Sequence, residues 1–334
     1  MNIGIAFDLR EDFGSESTPD GPQDAFAEYD SATTVEAIEA ALGSRGHRVV
    51  RLGGGRRFLA GILERPPDLV FNLAEGRGSR SREAHVPAVC EIVGVPCTHS
   101  DPLTMAMTLD KGVAKRIVAS AGIPTPAFTV VERDADLRDI DLRFPMFVKP
   151  LNEGSSMGID GRSRVVDARA LHERVQALLH DYHEPVIVEE FCSGPELTVG
   201  ILGSGRAPRA VATMEIAPLL VPREEFVYSS DVKRNPRWAD EIEYRVPPQR
   251  PAGEILAAEA LALAAYSALG CRDVARIDVR FDATGEPQFI ECNPLPGLAP
   301  GWSDIAIAWE RTGRRYDDLV LGILDEACAR LGLA

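Results

Sequence analysis

A lysine followed by a loop of small residues is the first feature of the sequence that points to chemistry. Lys149 is the penultimate residue of the largely apolar run FPMFVKP, and the segment LNEGSSMG, residues 151–158, follows directly. Glycine lets the main chain approach a ligand closely, and successive backbone amides form a concave site for anions. Glycine and serine are also common in ordinary turns, so the loop gains significance from the lysine before it. Together they indicate a phosphate site.

A second group of polar residues alternates along two short segments near the C-terminus. Arg276 and Asp278 fall on one face of the segment ARIDV, because strand side chains repeat every two residues. Glu291 and Asn293 share a face of FIECNP in the same way. If the turn DATGE joins the two strands into a hairpin, the three oxygen-bearing side chains converge, and Mg²⁺ prefers such ligands. A solvated sheet face carries the same residue types, so both interpretations stay open.

Paired carboxylates end a third strand-like segment. The apolar residues 186–188 run into Glu189 and Glu190, and a Cys-Ser-Gly-Pro turn leads to Glu196. The backbone of such a strand end can contact an adenine edge, and a carboxylate such as Glu196 can bind ribose hydroxyls. An ordinary solvated strand end has the same composition, so this segment gains meaning only beside the others.

Lysine is scarce in this chain. Of the 36 basic residues, only Lys111, Lys115, Lys149 and Lys233 are lysines. Arginine and lysine differ in hydration and geometry, so a compact phosphate-binding ammonium is not freely replaced. The scarcity is compatible with functional positions for the lysines that remain, but chance retention at neutral positions gives the same count and is favoured on composition alone.

The elements that must position these residues divide the chain into three. Alternating strands and helices predict a parallel α/β unit over residues 1–105. The second unit, residues 106–185, begins with a helix predicted at 107–121. The third unit, residues 186–334, is rich in strands of antiparallel type and includes a polar loop predicted at 222–248.

Charge and cysteine content narrow the class of protein. The net charge of -15 comes with no block of basic residues, which argues against a nucleic-acid partner and weakly against anionic membranes. No apolar run reaches the length of roughly 18–20 residues that a membrane helix needs. Six scattered cysteines without a C-x-x-C pair are typical of reduced thiols, so we expect a cytoplasmic protein.

The motifs, taken in order, resemble the ATP-grasp superfamily and most closely the D-alanine–D-alanine ligase family. The resemblance rests on VKP, EGSS-x-G, VIVEE with SGPE, RIDV and E-x-N-P, between about residues 100 and 300. It implies a mixed α/β and α+β architecture, the ATP-grasp fold. Its parts would be an N-terminal parallel α/β domain, a small central domain and a larger C-terminal antiparallel-sheet domain. It also implies ATP and two Mg²⁺ ions, with Mn²⁺ as an alternative metal.

The resemblance further implies roles for individual residues. The residues expected to bind the nucleotide are Lys111, Lys149, Ser155, Ser156, Glu189, Glu190, Cys192 and Glu196. The expected metal ligands are Asp278, Glu291 and Asn293. Arg276 would steady the transferred phosphoryl group, Lys233 would close over the γ-phosphate from a flexible loop, and Glu28 would bind the first amino group.

Two segments depart from the family pattern. The serine-rich tail that holds the second substrate's carboxylate in the family is here PLPGLAPGWSD, residues 294–304. The family's histidine-containing loop is replaced by a segment with Arg77, Arg80 and Arg82, which either recognise a carboxylate or are solvated charges; the second interpretation is favoured. We therefore expect intact ATP chemistry beside an altered acceptor pocket.

The resemblance implies an ATP-dependent carboxylate–amine ligase that forms a dipeptide through an acyl phosphate. D-Ala-D-Ala, for peptidoglycan synthesis, is the default product. The alternatives are a ligase for another amino-acid or specialised-metabolite pair, and a non-catalytic ATP-binding regulatory relative. The expected partners are small amino acids or carboxylates and a second copy in a homodimer.

Overall fold

The computed structural model describes residues 1–13, 22, 24, 26–205, 207–235 and 237–333. These residues form a mixed α/β structure with three separate sheets. The first sheet is parallel and the other two are antiparallel, which confirms the predicted fold class. Within the described stretches, no helix has both the length and the apolar character needed to cross a bilayer.

The N-terminal part is built on the parallel sheet. Its elements are β1 (Asn2–Ala6), α1 (Arg10–Phe13), α2 (Ala32–Ser44), β2 (Arg48–Arg51), α3 (Gly55–Glu64), β3 (Leu69–Asn72) and α4 (His85–Val93). The strand order is β2-β1-β3. Helix α3 was not predicted, because the glycine run before it is typical of a turn. Its buried face, Phe58 and Ile62, nevertheless has helical spacing.

The central part contains a four-stranded sheet. Its elements are α5 (Pro102–Leu109), α6 (Lys111–Ser120), β4 (Phe128–Val131), β5 (Met146–Pro150), β6 (Arg164–Val165), α7 (Ala168–Tyr182) and β7 (Val186–Glu190). The single helix predicted at 107–121 is wrong. Asp110 has an extended backbone, and its side chain accepts from the Val113 N–H, so it begins a new helix. The strand order is β4-β7-β5-β6, and only a division after Glu190 leaves this sheet whole.

The C-terminal part contains a five-stranded sheet of order β10-β9-β8-β11-β12. Its elements are β8 (Glu196–Leu202), β9 (Arg209–Pro218), α8 (Ser230–Arg234), α9 (Trp238–Glu241), β10 (Ile242–Arg245), α10 (Ala252–Ala268), β11 (Val274–Phe281), β12 (Pro287–Asn293), α11 (Asp304–Arg311) and α12 (Tyr316–Leu331). The predicted polar loop at 222–248 is therefore partly regular, with two short helices and an edge strand. Helix α11 was also not predicted.

Strands β11 and β12 form the hairpin that the sequence predicted. Asp278 lies directly opposite Glu291, and Arg276 lies opposite Asn293. A bulge follows Asp278, where the register shifts by one residue at Ile290. Bulges of this kind increase the local twist and redirect side chains, often beside functional sites.

The last two helices, α11 and α12, pack against the N-terminal sheet and hold it against the C-terminal part. Ile3 and Ile5 of β1 share one buried apolar cluster with Leu319 and Ile323 of α12. Burial of each such side chain contributes about 1.5–3 kcal/mol. The N-terminal segment is thereby held beside the hairpin sheet.

Candidate active site

Arg276 lies between two carboxylates of the β11–β12 hairpin. Its guanidinium donates to Asp278 from Nε at 3.1 Å and from Nη2 at 2.9 Å, and Nη2 is 3.7 Å from Glu291 Oε1. The Thr198 hydroxyl, on neighbouring β8, also donates to Asp278. Burial raises the pKa of Asp278, and this effect exceeds the opposing effect of Arg276.

Lys149 reaches one of these carboxylates, Glu291, from the other antiparallel sheet. Its Nζ is 3.8 Å from Glu291 Oε2 and 3.0 Å from Glu189 Oε1. Burial alone would raise the pKa of Glu291, but neighbouring cations, Lys149 first among them, lower it to about 2. Glu291 therefore stays ionised at neutral pH. Lys149 and the two hairpin strands meet at one place, as the sequence interpretation requires.

Lys115 is a second buried lysine at this place, and no motif suggested a role for it. Its Nζ lies 2.9 Å from Glu189 Oε2 and donates to Thr125 Oγ1 at 2.8 Å. Glu189 thus lies between Lys115 and Lys149; burial raises its pKa, but the two ammonium groups lower it overall. The available signal was the spacing of Lys111 and Lys115, four residues apart on one helix face.

The substitution Glu189→Gln is expected to lower the free energy of unfolding by about 3–5 kcal/mol, because it leaves buried charge without its partner. Lys115→Met is the matched control. It leaves Glu189 paired with Lys149, so we expect a clearly smaller loss. Urea unfolding followed by circular dichroism measures both values. Equal losses in the two variants would contradict this account.

The loop after β5 has an unusual backbone conformation. Ser155 and Ser156 have φ angles of 49° and 59°, a left-handed conformation that is uncommon outside glycine. Gly158 has a φ of 65°, and a Cβ there would lie 2.5 Å from Pro150 Cγ, so a larger residue does not fit. The Gly158 N–H donates to Asp24 Oδ2 at 2.9 Å, which ties the loop to the N-terminal segment.

Lys111 lies beside this loop. Its Nζ donates to the backbone carbonyl of Glu153, and the side chain is buried. Burial lowers the pKa of Lys111, with Glu291 opposing the effect. Lys111 lines neither of the two cavities at this site. Its direct contact with a phosphate therefore stays a prediction.

An inner cavity lies between the two antiparallel sheets. Its apolar lining residues include Pro126, Phe147, Phe191 and Ile290. Its charged lining residues include Lys149, Glu189, Lys233, Arg276, Asp278 and Glu291. The rings of Phe147 and Phe191 stack with their centres 6.1 Å apart. Apolar surface suits a planar base, and the clustered cations suit a triphosphate, so this lining fits a nucleotide.

Four further residues predicted at the nucleotide line the inner cavity: Ser156, Glu190, Cys192 and Glu196. The Glu190 carboxylate accepts a hydrogen bond from Arg143 at 2.7 Å. Glu190 can therefore contact a nucleotide base through its main chain and not through its side chain. Glu196 lies 3.5 Å from Arg280, which the sequence did not indicate. Burial raises the pKa of Glu196, with Arg280 opposing.

Asp304 is another site residue that the sequence did not indicate. Its Oδ1 accepts from the Tyr228 hydroxyl at 2.9 Å, and its Oδ2 lies 3.4 Å from Lys233 Nζ and 3.5 Å from Arg276 Nη1. Burial raises its pKa, but Lys233 and Arg276 lower it overall. Asp304 therefore anchors the predicted loop lysine. The sequence gave no signal for Asp304, because the helix that this residue begins was not predicted.

An outer cavity of about 430 Å³ adjoins the inner one. Lys233, Arg276 and Asp304 line both cavities. Asn293 and Ser155 line the outer cavity only. The volume lies within the range of small-molecule sites. A substrate in the outer cavity has direct access to the charged group shared with the inner cavity.

Glu28 lines the outer cavity and forms a two-point ion pair with Arg82. Arg82 Nε donates to Oε1 at 3.1 Å and Nη2 to Oε2 at 3.0 Å, while Nη1 donates to the Asn152 carbonyl at 3.0 Å. Arg82 is only 6% exposed, so its interpretation as a solvated charge is wrong. Tertiary packing buries it, and it links the N-terminal segment to the loop after β5.

Buried carboxylates lie close to this ion pair. Burial raises the pKa of Glu83 to about 8 and the pKa of Glu153 to about 7, with Arg82 opposing in both cases. Burial likewise raises the pKa of Asp30 to about 7. The folded protein therefore retains protons that free carboxyl groups release at lower pH.

Between about pH 6.5 and pH 8, stability is expected to fall as pH rises, because the unfolded state binds fewer protons there than the folded state. Each such group contributes up to about 1.4 kcal/mol per pH unit. The pKa of His99 is lowered by burial from 6.5 to about 3; its opposite effect fades as pH rises above 6.5 and is smaller than that of the three carboxyl groups together. Denaturant unfolding at three pH values measures the slope. Glu83→Gln should flatten it, and a flat or rising wild-type curve would contradict the prediction.

The predicted metal ligands fit a hard cation. The carboxylates of Asp278 and Glu291 face each other across the hairpin, with Asn293 in the next facing position. Among the described residues, no group of three or more His, Cys, Asp or Glu side chains is arranged for a metal. Two carboxylates and an amide suit Mg²⁺, which takes few protein ligands and completes its shell with phosphate and water oxygens.

Comparison with known proteins gives one consistent result. The family model "D-ala D-ala ligase C-terminus" matches residues 117–325. A D-alanine–D-alanine ligase of Bordetella pertussis is 32% identical over 298 residues, which cover 89% of this chain and 90% of that protein.

Solved structures agree in fold. D-alanine–D-alanine ligase from Bacillus anthracis, complexed with ATP, has a TM-score of 0.70 at 19% identity and covers 98% of both chains. VanG D-Ala:D-Ser ligase from Enterococcus faecalis has a TM-score of 0.71 at 20% identity, covering 98% of this chain and 99% of its own. At these identities, the likeness establishes a shared fold.

Proposed function

The chain belongs to the D-alanine–D-alanine ligase family and has the ATP-grasp fold, and from this premise we propose that it is an ATP-dependent ligase forming a dipeptide. The observation that supports this most is the meeting of Lys149, Arg276, Asp278 and Glu291 at one cavity. A protein that only bound ATP would have no need of this full set beside a second, substrate-sized cavity.

The reaction has two steps. The carboxylate of the first amino acid attacks the γ-phosphorus, ADP leaves, and an acyl phosphate forms. The amine of the second amino acid then attacks the acyl carbon, and phosphate leaves. Both steps depend on positioning and on neutralisation of negative charge. Lys149, Lys233 and Arg276 provide fixed positive charge at this place, and Arg276 faces both cavities.

Magnesium would be held by Asp278, Glu291 and Asn293, and when bound it neutralises charge on the phosphate oxygens. The backbone amides at Ser155 and Ser156 would cover the phosphates. Lys111 would support this loop through the carbonyl that it already contacts.

The nucleoside would occupy the part of the inner cavity around Phe147 and Phe191. The main chain from Glu190 to Cys192 would contact the base, and Glu196 would accept from the ribose hydroxyls. Glu189 would act indirectly, by holding Lys149 in place.

The substrate pair follows from the family only in part. The Bordetella relative is named for D-alanine as both substrates, and VanG is named for D-alanine and D-serine. D-Ala-D-Ala formation, and with it peptidoglycan synthesis, is the first candidate. The unusual segment at residues 294–304 supports a different second substrate, in cell-wall or specialised metabolism.

The test is incubation of the purified protein with ATP, Mg²⁺ and a panel of D- and L-amino acids. We expect phosphate release with at least one pair and a dipeptide mass in the same reaction. Phosphate release without a ligated product would contradict the ligase proposal. Absence of release with every pair would favour the regulatory relative that only binds ATP.

We also place the enzyme in the cytoplasm as a homodimer. All six cysteines are free, as expected for a reducing compartment. Light scattering coupled to size-exclusion chromatography tests the dimer, and a monomer mass at working concentration would contradict it.

A further inference from the structure

Trp302 exposes an unusually large apolar side chain to the outer cavity. The residue is 56% exposed and lies in the turn between β12 and α11. Aromatic side chains of this size normally bury most of their surface, and an exposed indole beside a cavity is typical of a binding surface. We therefore expect an apolar group of a bound ligand to cover the indole.

Two more residues with large apolar side chains line the outer cavity, although most of their surface is buried. Ile307 on α11 and Tyr244 on β10 line the cavity together with Trp302. Ile307 and Tyr244 belong to one buried apolar cluster, so their positions are fixed by packing. We call this wall, made of Trp302, Ile307 and Tyr244, the indole wall.

The indole wall lies next to the reacting groups. Asp304 follows Trp302 by two residues and contacts both Arg276 and Lys233. Glu28, by contrast, enters the outer cavity from the N-terminal segment. The outer cavity is therefore lined by Glu28, by the indole wall and by the charged residues Lys233, Arg276 and Asp304.

We infer that the second substrate is an amino acid with a large apolar side chain, branched aliphatic or aromatic, which packs against the indole wall. This inference rests on the proposed ligase function and specifies its acceptor. An alanine methyl group is too small to cover the indole and would leave most of it in water. A larger apolar side chain removes that surface from water, which is favourable in proportion to the area covered.

The experiment supplies the enzyme with ATP, Mg²⁺ and an equimolar mixture of alanine, leucine and phenylalanine, once as D- and once as L-enantiomers. Tandem mass spectrometry identifies the residue in the second position of each product. We expect leucine or phenylalanine to exceed alanine there by about tenfold or more, as apolar pockets discriminate by this order.

Variants of the indole wall test its role directly. Trp302→Ala should lower the preference for the large side chain over alanine by about tenfold, measured as the ratio of kcat/KM values. Trp302→Phe should keep most of the preference. Ile92→Ala, which removes an 83% exposed side chain on α4, is the matched control and should leave the ratio unchanged.

The outcomes separate this inference from the function on which it rests. A dipeptide with alanine in the second position, formed at the same ratio by wild type and Trp302→Ala, would overturn the inference and leave the ligase standing. Failure of every amino acid to give product would overturn the ligase proposal instead. A large-side-chain product that is lost in Trp302→Ala and retained in Trp302→Phe would support both.

Discussion

Glu291→Gln is expected to lower turnover by at least about 100-fold, the scale seen when one charge-stabilising group is removed from an active site. Glutamine keeps the shape of the side chain but removes a negative charge that faces Asp278 and lies within 4 Å of Lys149. The variant therefore loses a proposed magnesium ligand without opening a cavity. Because the nucleotide retains its apolar surroundings and Lys149, ATP binding should weaken by about tenfold at most.

Phosphate release measures turnover, and titration calorimetry with ATP measures binding. Glu286→Gln is the control, because Glu286 is an exposed carboxylate in the turn of the same hairpin. That variant should match the wild type in both measurements. Normal turnover in Glu291→Gln would count heavily against the metal site.

Arg276→Lys should lower kcat by about 10³-fold, the lower end of the contribution of an arginine that stabilises phosphoryl transfer. Lysine keeps the charge but lacks the planar fork that lets Arg276 donate to Asp278 from two nitrogens while facing Glu291 and Asp304. The positive charge remains for ground-state binding, so the KM for ATP should change by less than about tenfold.

The control for this substitution is Arg272→Lys, an arginine near the start of the same strand that pairs with Asp101 and is 41% exposed at its side chain. Its kcat should be unchanged. A loss of kcat in Arg276→Lys that comes with a lowered unfolding midpoint would indicate a structural role. A normal kcat would remove Arg276 from the reacting centre.

The part of the site that lies on strands could be predicted from the sequence. Strand side chains alternate, so the spacing of Asp278, Glu291 and Asn293 indicated a shared face once a hairpin was assumed. Lys149 could be predicted because its strand runs directly into the small-residue loop. These are local patterns, and local patterns survive without knowledge of the tertiary structure.

The remaining contacts depend on which segments fold against each other. Lys115 and Asp304 meet their partners from helices α6 and α11; the start of α6 was predicted wrongly, and α11 was not predicted. Arg82 lies in a polar loop whose composition is that of a solvated segment, yet packing against Asn152 buries it. No local pattern distinguishes a buried charge from a solvated one, because burial is decided by distant parts of the chain.

Asp304, the carboxylate on α11 that contacts Lys233 and Arg276, affects how the enzyme binds its nucleotide. Lys233 and Arg276 are already in contact with Asp304, so a phosphate that binds to them, as we propose, would exchange places with an anion and would not meet bare cations. Such an exchange gives up part of the binding energy. In return, both cations are oriented before the nucleotide arrives, and little rearrangement is left for the moment of phosphoryl transfer.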